Sequence, residues 1–387
     1  MLFSMSFLPH QGRYLRVYNE ARTLVADGKD VNLIAWDRNC EEPPLEVIDG
    51  IKVERIRSKS GFQRGPVNVF GVLKFYVRLL PRLFKKNADL IHCFNLDTII
   101  PGLIVAKFKG QKTVLDLCEP EYYAYWPQIF RPLVRIFQIF ERFFSKRFDY
   151  VLVHNRYQLR KFRGYGLSTI AQIGSHPNRS LIVERVKENA GSDHTVTIGR
   201  FGSIYKNNGI EEMIDAFKEL KAVFPGIGLM LAGKVFEEFQ EEFEYLITPL
   251  GDSVNVSGEF SPADLPGLYD QIDISLQLLR KTQWFQNITP TKFFESLANG
   301  VPVVTSDIGD LREIIEEYRC GVIVDETDPA SIFAGLRGLI EDPDLRLKMA
   351  HNALRAIKQK YNWDLMGQRM LNIYRTLGSP GASNPHT

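Results

Sequence analysis

The chain has 387 residues, of which 44% are hydrophobic and 24% are charged. These values are typical of globular proteins and exclude a disordered or collagen-like chain, while the length predicts two domains rather than one small binding module. Lys and Arg total 48 and Asp and Glu total 46, so the formal charge is only +2. Such a balance argues against a dedicated nucleic-acid-binding protein.

The small net charge hides two halves of opposite charge. Residues 1–180 contain 28 basic and 16 acidic residues and carry +12, whereas residues 181–387 carry −10. We therefore expect the two halves to bind different partners.

The cysteines and the first residues indicate a cytoplasmic protein. Cys40, Cys93, Cys118 and Cys320 are far apart and show no metal-binding spacing, so we expect reduced thiols and no structural zinc. The sequence has no apolar stretch of about 18 residues and no signal-peptide pattern at its start. We predict neither a membrane span nor export.

Short β-rich apolar segments alternate with helical patterns, which predicts parallel α/β sheets. A helix is expected over residues 17–25, ended by Gly28. In the first half we predict strands at 1–7, 31–36, 51–56, 90–94, 113–117 and 150–154. Residues 161–194 bring glycines, proline and charges without a long apolar element, so we predict the interdomain connection near 177–194, after which the alternation begins again.

The second half repeats this pattern, with an early helix over residues 210–220. We predict its strands at 195–198, 229–232, 254–257, 272–278, 301–305 and 321–324. The chain is therefore expected to form two Rossmann-like doubly wound domains, 1–180 and 190–360. A final helix at 363–377 and a disordered tail at 378–387 complete it.

In open parallel sheets, ligands bind beyond the carboxyl ends of the strands, so two such domains place a site in the cleft between them. Within segment 288–304, Thr289 is a good N-cap, Pro290 suits a first helical turn and Gly300 ends the helix. Such an N-terminus offers free N–H groups to a phosphate, and Glu295 can accept hydrogen bonds from two ribose hydroxyls. An ordinary capped helix with a solvated glutamate would have the same pattern.

The segment 198–214 places two cations around one loop. Arg200 leaves a strand end, Gly202 loosens the loop and Lys206 precedes the next helix. Together these cations can neutralise a diphosphate and stabilise a leaving group without a metal ion. Two solvated surface cations are the alternative. The Asp342-Pro-Asp344 sequence is interpreted as a turn rather than a metal site.

Taken together, these segments resemble GT-B-fold retaining glycosyltransferases, the large family called group 1 or family four. GRFGSIYKNNGI resembles the family's Gly-Arg and Lys signature, and PTKFFESLANGVPVV resembles its P-x-K-x-x-E-x-x-A-x-G-x-P-V-V block. Weaker matches are the Gly12 loop, the segment around His92, LDLCEPE at 115–121, LAGK at 231–234 and YNWDLMGQRMLNIY. In this family the final helix typically crosses back to the N-terminal domain.

The resemblance implies a nucleotide-sugar donor, a glycan or lipid-linked acceptor in polysaccharide biosynthesis, and no cofactor or metal. Arg200 and Lys206 would hold the diphosphate, and Glu295 the ribose hydroxyls. The remaining donor contacts would be Gly12, Asn287, Ile288, Thr289 and Thr291.

Two departures from the family pattern concern candidate catalytic residues. Asn287 stands where the family has the first glutamate of a Glu-x7-Glu pair, and Cys118 stands where it often has a histidine. The remaining candidates from the N-terminal half are His10, beside Gly12, and Asp116 and Glu119, which flank Cys118.

These departures leave other functions open. A nucleotide-sugar epimerase of the same architecture and a degenerate, non-catalytic binding protein are the alternatives to a transferase. An NAD-dependent oxidoreductase is disfavoured, because no G-x-G-x-x-G follows a strand.

Two amphipathic segments in the basic half predict attachment to an anionic membrane. Helical spacing over 125–148 separates Arg131, Arg135, Arg142 and Lys146 from Phe130, Leu133, Phe137, Phe140 and Phe144. Segment 70–86 has the same character. We expect peripheral binding at the inner face of the membrane. The alternative is that the aromatic faces pack on the sheet.

Overall fold

The computed structural model describes residues 2–4, 15–59, 68–118, 131–187, 195–206, 208–288 and 290–378. Two compact units are formed, residues 1–175 with 365–387 and residues 176–364, so the last helix belongs to the first unit. Four candidate residues, His10, Gly12, Glu119 and Thr289, lie outside the described residues. Phe130 and the tail from residue 379 lie outside them as well.

The first unit contains an eight-stranded sheet. Its strands are β1 Leu2–Ser4, β2 Asn32–Asp37, β3 Leu45–Ile48, β4 Ile51–Arg57, β5 Leu90–Phe94, β6 Lys112–Leu117, β7 Tyr150–Val153 and β8 Ile170–Gln172. They lie in the order β3-β4-β2-β1-β5-β6-β7-β8. Every neighbouring pair is parallel except β3 and β4.

The described helices of this unit are Leu15–Ala26, Asn68–Lys85, Ile99–Lys109, Arg131–Ser145, Arg156–Gly164 and Trp363–Gly378. The helix Asn68–Lys85 buries Phe75, Leu79 and Leu83 in a core shared with the next three helices. Phe140 and Phe144 pack against the same core, so this aromatic side of the helix Arg131–Ser145 faces the protein.

The second unit contains a six-stranded, wholly parallel sheet. Its strands are β9 Thr197–Phe201, β10 Gly228–Ala232, β11 Val254–Val256, β12 Ile274–Gln277, β13 Val303–Ser306 and β14 Gly321–Val324. They lie in the order β11-β10-β9-β12-β13-β14. The doubly wound α/β prediction is confirmed.

Helices surround this second sheet. The described α-helices are Ile210–Val223, Gln240–Ile247, Leu265–Tyr269, Gln283–Asn287, Thr291–Ala298, Leu311–Tyr318, Pro329–Glu341 and Pro343–Gln359. At the start of the last of these, the Asp342 carboxylate accepts a hydrogen bond from the Leu345 N–H at 2.8 Å. The Asp-Pro-Asp sequence is therefore a helix cap within a turn, as its sequence indicates.

Two short strands and the bounds of several others, β9 among them, differ from the sequence prediction. β3 and β8 were not predicted, because β3 is an edge strand with Leu45 and Val47 exposed and β8 has only three residues. β9 continues through Gly199 and Arg200, whereas the pattern predicted an end at 198. Gly199 packs on Ile272, where an added Cβ would lie 2.5 Å from the Ile272 side chain.

A buried ion pair lies inside the first unit. Asp116, at the end of β6, accepts hydrogen bonds from Arg16 Nε at 2.7 Å and Nη2 at 2.8 Å. Arg16 also donates to the Ile173 carbonyl. Burial raises the pKa of Asp116, but the Arg16 charge outweighs it, so the net pKa is lowered. Asp116 is therefore engaged in an internal ion pair, and its candidacy as a contributor of the first unit stays a prediction.

Three further side chains complete this network. His92 Nε2 lies 3.6 Å from Glu20, and its Nδ1 bonds the Tyr374 hydroxyl of the last helix. Burial lowers the pKa of His92 to about 3, so its ring is neutral. Burial and the Asp116 charge raise the pKa of Glu20 well above 4.5. The network thus contains the Arg16–Asp116 ion pair and a neutral His92, and it ties the last helix to β5.

Glu20, His92 and Asp116 bring three ligand atoms within 4.8 Å of one another, which is close enough for a metal ion. Arg16 Nε, however, lies 3.1 Å from Glu20 and 2.7 Å from Asp116. The guanidinium already supplies the positive charge, so we assign no metal ion to this cluster.

The Glu20→Gln variant tests the protonation state of this network. Because the pKa of Glu20 is raised in the folded state, the folded chain binds this proton more tightly than the unfolded chain, so wild-type stability falls as pH rises from 4.5 toward the folded pKa. Glutamine does not titrate. We expect the free energy of unfolding of Glu20→Gln to gain about 1.4 kcal/mol per pH unit relative to wild type.

Urea unfolding of both chains between roughly pH 5.5 and 7 measures this difference. The exposed Glu41→Gln variant is the matched control for the charge change. A difference between Glu20→Gln and wild type that does not vary with pH would mean that Glu20 is ionised in the folded chain.

Candidate active site

The loops after β9, β10 and β11 are joined by backbone hydrogen bonds. Gly202 N–H donates to the Ala232 carbonyl at 2.8 Å, and Gly233 N–H donates to the Gly258 carbonyl at 2.6 Å. A Cβ on Gly233 would lie 2.0 Å from the Gly202 carbonyl oxygen, so only glycine permits this approach. At Gly202 and Gly233 the carboxyl edge of the sheet therefore presents backbone without side chains. A bulky anionic ligand requires such an edge.

Arg200 lies inside β9, and only 5% of it is exposed. Its guanidinium donates to the Gly202 carbonyl at 3.5 Å, the Ser203 carbonyl at 3.3 Å and Asn208 Oδ1 at 2.5 Å. Burial lowers the pKa of Arg200 to about 10, so the side chain stays cationic at neutral pH. Within the described chain, no carboxylate pairs with it. Arg200 is a buried and uncompensated charge rather than a solvated surface cation.

Lys206 has a different environment. It is exposed, and its Nζ lies 2.6 Å from the Glu242 carboxylate. Hydrogen bonding and attraction from Glu242 raise the pKa of Lys206. Arg200 and Lys206 thus have partners on different elements, and their contact with one ligand stays a prediction.

The second predicted segment begins later than expected. Pro290, with ψ 101°, is extended and takes the N-cap position, so the helix starts at Thr291 rather than at the predicted Thr289 cap. The helix ends at Ala298, and Gly300 follows with φ +67°. Proline has no side-chain oxygen to cap the first turn. The free N–H groups predicted for this terminus are thus not capped by Pro290.

Glu295, on this helix, is paired. Lys292 Nζ lies 2.8 Å from the Glu295 carboxylate and 4.9 Å from the centre of the Phe260 ring. A Cβ on Gly202 would lie 4.0 Å from Lys292 Cγ. The two segments singled out in the sequence therefore meet, and Lys292 lies where they meet.

Asn287, at the end of the helix Gln283–Asn287, is buried. Its Nδ2 donates to the Gln283 carbonyl at 2.7 Å, whereas its Oδ1 has no hydrogen-bond partner. A buried amide oxygen without a partner is costly and is suited to accept from a ligand hydroxyl. Close to it in sequence, Ile288 is half-buried and Thr291 is exposed.

The sequence interpretation missed Asn208 and Lys292 as functional candidates. Asn208 lies two residues after Lys206, and Lys292 lies one residue after the helix start at Thr291, so both are inside the quoted motifs. Their partners, however, are set by the fold. In the first unit, Cys118 is half-buried directly after β6. Asp116, two residues earlier, accepts a hydrogen bond from Arg16.

Two family descriptions match the chain. "Glycosyl transferase 4-like domain" matches residues 14–173, and "Glycosyl transferases group 1" matches residues 183–356. Together they span most of both units.

Curated relatives match over part of their length. The chain is 24% identical over 180 residues to the capsular polysaccharide biosynthesis glycosyltransferase CapM of Staphylococcus aureus, covering 46% of each chain. It is 26% identical over 196 residues to the alpha-D-kanosaminyltransferase of Streptomyces kanamyceticus, covering 50% of this chain and 49% of that one. The chain thus spans about half the length of the curated relatives it matches.

Solved structures match over nearly the whole chain. Sucrose-phosphate synthase from Thermosynechococcus elongatus has a TM-score of 0.75 at 17% identity, covering 97% of this chain and 99% of that one. HepE of Anabaena, in complex with UDP, has a TM-score of 0.72 at 17% identity with the same coverage. WaaG, a glycosyltransferase involved in lipopolysaccharide biosynthesis, has a TM-score of 0.66 at 17% identity, covering 96% and 99%. The chain belongs to the group 1 family of GT-B-fold glycosyltransferases.

Proposed function

We propose that the chain is a retaining, metal-independent glycosyltransferase that moves a sugar from a nucleoside diphosphate sugar to a glycan or lipid-linked acceptor. The observation that carries the proposal is Arg200, a buried guanidinium whose partners among the described residues are all neutral oxygens, at a glycine-lined strand edge. A buried cation of this kind is stabilised by an anionic ligand. The diphosphate of a donor has the matching charge.

The other cations of the site would complete the diphosphate contacts. Lys206 is exposed, and its ion pair with Glu242 is formed in water, where such pairs are weak and exchange partners readily. Lys206 can therefore move from Glu242 to a phosphate oxygen. Arg200 and Lys206 would then stabilise the negative charge that develops on the leaving group.

Glu295 and Asn287 are proposed to position the donor. When Lys292 turns toward the phosphates, both oxygens of Glu295 become available to the ribose hydroxyls. The unpartnered Oδ1 of Asn287 would accept from a hydroxyl of the sugar. Gly12, Ile288, Thr289 and Thr291 remain proposed backbone contacts, and His10, Cys118 and Glu119 remain proposed contributors of the first unit.

In the proposed reaction, the bond between the anomeric carbon and the diphosphate oxygen breaks. The acceptor hydroxyl oxygen bonds to the same face of that carbon, and its proton passes to the departing diphosphate oxygen. No separate general base is then needed, because the leaving group takes the proton. The protein contributes position and charge stabilisation.

The relatives support the choice of substrates. CapM is named for capsular polysaccharide biosynthesis, and HepE was solved with UDP and with UDP-glucose. We propose a UDP-sugar donor and a role in surface polysaccharide or glycoconjugate synthesis in the cytoplasm.

Membrane attachment is proposed for the helical face of the first unit. The helix Arg131–Ser145 exposes Ile136, Ile139 and Phe143 beside Arg135 and Arg142. Among the described residues, no helix is long and apolar enough to cross a membrane. A basic face with a narrow exposed apolar stripe fits peripheral binding to anionic lipid, at about 1 kcal/mol per basic residue.

The Arg200→Ala and Lys206→Ala variants test the donor site. We expect sugar transfer, or slow release of the nucleoside diphosphate without acceptor, to fall about a hundredfold in each variant, because a charge-stabilising donor is lost. UDP-, GDP- and ADP-sugars are assayed in parallel, with thermal unfolding to verify the fold. Arg337→Ala, at an exposed arginine paired with Glu341, is the matched control.

Unchanged turnover in both variants would refute the assignment. A product epimerised at the sugar would favour the epimerase, and no binding of any of the three nucleotide sugars would favour the non-catalytic protein.

A triple variant, Arg135→Gln, Arg142→Gln and Lys146→Gln, tests the membrane face. We expect its affinity for phosphatidylserine-containing vesicles to fall roughly a hundredfold, since three basic residues are lost. Cosedimentation at low and high salt measures it. The matched control is Lys218→Gln, Lys234→Gln and Lys348→Gln in the second unit. Vesicle binding that is absent at low salt, or unaffected by salt, contradicts this attachment.

A further inference from the structure

Two buried arginines in this chain are held in opposite ways. Arg16 is bonded by both oxygens of the Asp116 carboxylate, which cancels its charge. Arg200 is equally buried, but its nearest acceptor is the neutral side chain of Asn208, at 2.5 Å. A carboxylate in place of Asn208 would satisfy the same guanidinium and would cancel its charge.

Asn208 is itself fixed by the fold. Only 3% of it is exposed, and its Nδ2 donates to the Ser203 carbonyl at 2.9 Å. That carbonyl also accepts from both terminal nitrogens of Arg200. Because the amide nitrogen is committed to Ser203, the amide oxygen must face Arg200. Asn208 therefore fixes the orientation of the guanidinium through two linked contacts.

We propose that Asn208 is a positioning residue that holds Arg200 toward the donor diphosphate while leaving the arginine's positive charge uncancelled. The proposal rests on the donor role of Arg200 stated above. A neutral amide supplies geometry without charge, so the full attraction of the guanidinium remains available to the phosphates. An aspartate of nearly the same shape would keep the contact with the guanidinium but lose the donation to the Ser203 carbonyl, and its charge would remove the attraction.

The experiment compares Asn208→Asp with wild type in the full chain. UDP, GDP and ADP are titrated as probes, and kcat and KM are measured with the corresponding sugar donors. We expect Asn208→Asp to fold with a thermal midpoint close to that of wild type, because the ion pair with Arg200 offsets the lost donation to the Ser203 carbonyl. Its affinity for the diphosphate and its kcat/KM should fall about a hundredfold. The control is Asn352→Asp, which makes the same change at an asparagine that donates to the Arg319 carbonyl. It should lose neither diphosphate affinity nor kcat/KM.

A double-mutant cycle separates positioning from a general structural effect. In an Arg200→Ala background, Asn208→Asp should cause little further loss, since the residue that it acts through is gone. Asn208→Ala changes no charge and should show a smaller loss than Asn208→Asp.

Three results would overturn the proposal: full diphosphate affinity in Asn208→Asp, multiplicative losses in the cycle, or a thermal midpoint of Asn208→Asp well below wild type. If Arg200→Ala itself keeps full activity, the donor assignment fails instead, so the two failures are distinguishable.

Discussion

The candidate site is built around a buried arginine, Arg200, that has no carboxylate partner among the described residues. Moving an isolated ion out of water costs on the order of several kcal/mol, and proteins normally offset that cost with a paired carboxylate. Arg16 follows this rule through Asp116. Arg200 does not, and its three bonding partners are all neutral oxygens. An anionic ligand would offset this cost, which is why we propose one for this site.

Three glycines near Arg200 help to keep it buried and bonded to neutral oxygens. Gly199, one residue earlier on β9, lets the strand pack against Ile272. Gly202 and Gly233 bring two loops into backbone contact beyond the strand ends. Because these glycines have no side chain, the segments approach one another closely. Carbonyl oxygens are then the acceptors around the guanidinium. The backbone thus binds Arg200 without neutralising it.

The sequence predicted the fold and the two segments of the site, but not the partners of their side chains. Strand periodicity located β5 and β14 to the residue, and Gly300 correctly marked a helix end. The burial of Arg200 was not predictable from its loop-like surroundings, since it depends on packing between strands. The Lys206 contact with Glu242 joins residues 36 positions apart, and no local pattern encodes it. The aromatic side of the helix Arg131–Ser145 was ambiguous for the same reason, because periodicity defines a face but not what covers it.

The central claim is that the uncompensated charge of Arg200 binds the diphosphate of the donor. A crystal structure of the wild-type chain with UDP tests it most directly. We predict the Arg200 guanidinium within hydrogen-bonding distance of a phosphate oxygen, with its bond to Asn208 retained. A diphosphate bound away from Arg200, or an Arg200 still bonded only to Gly202, Ser203 and Asn208, would contradict the account.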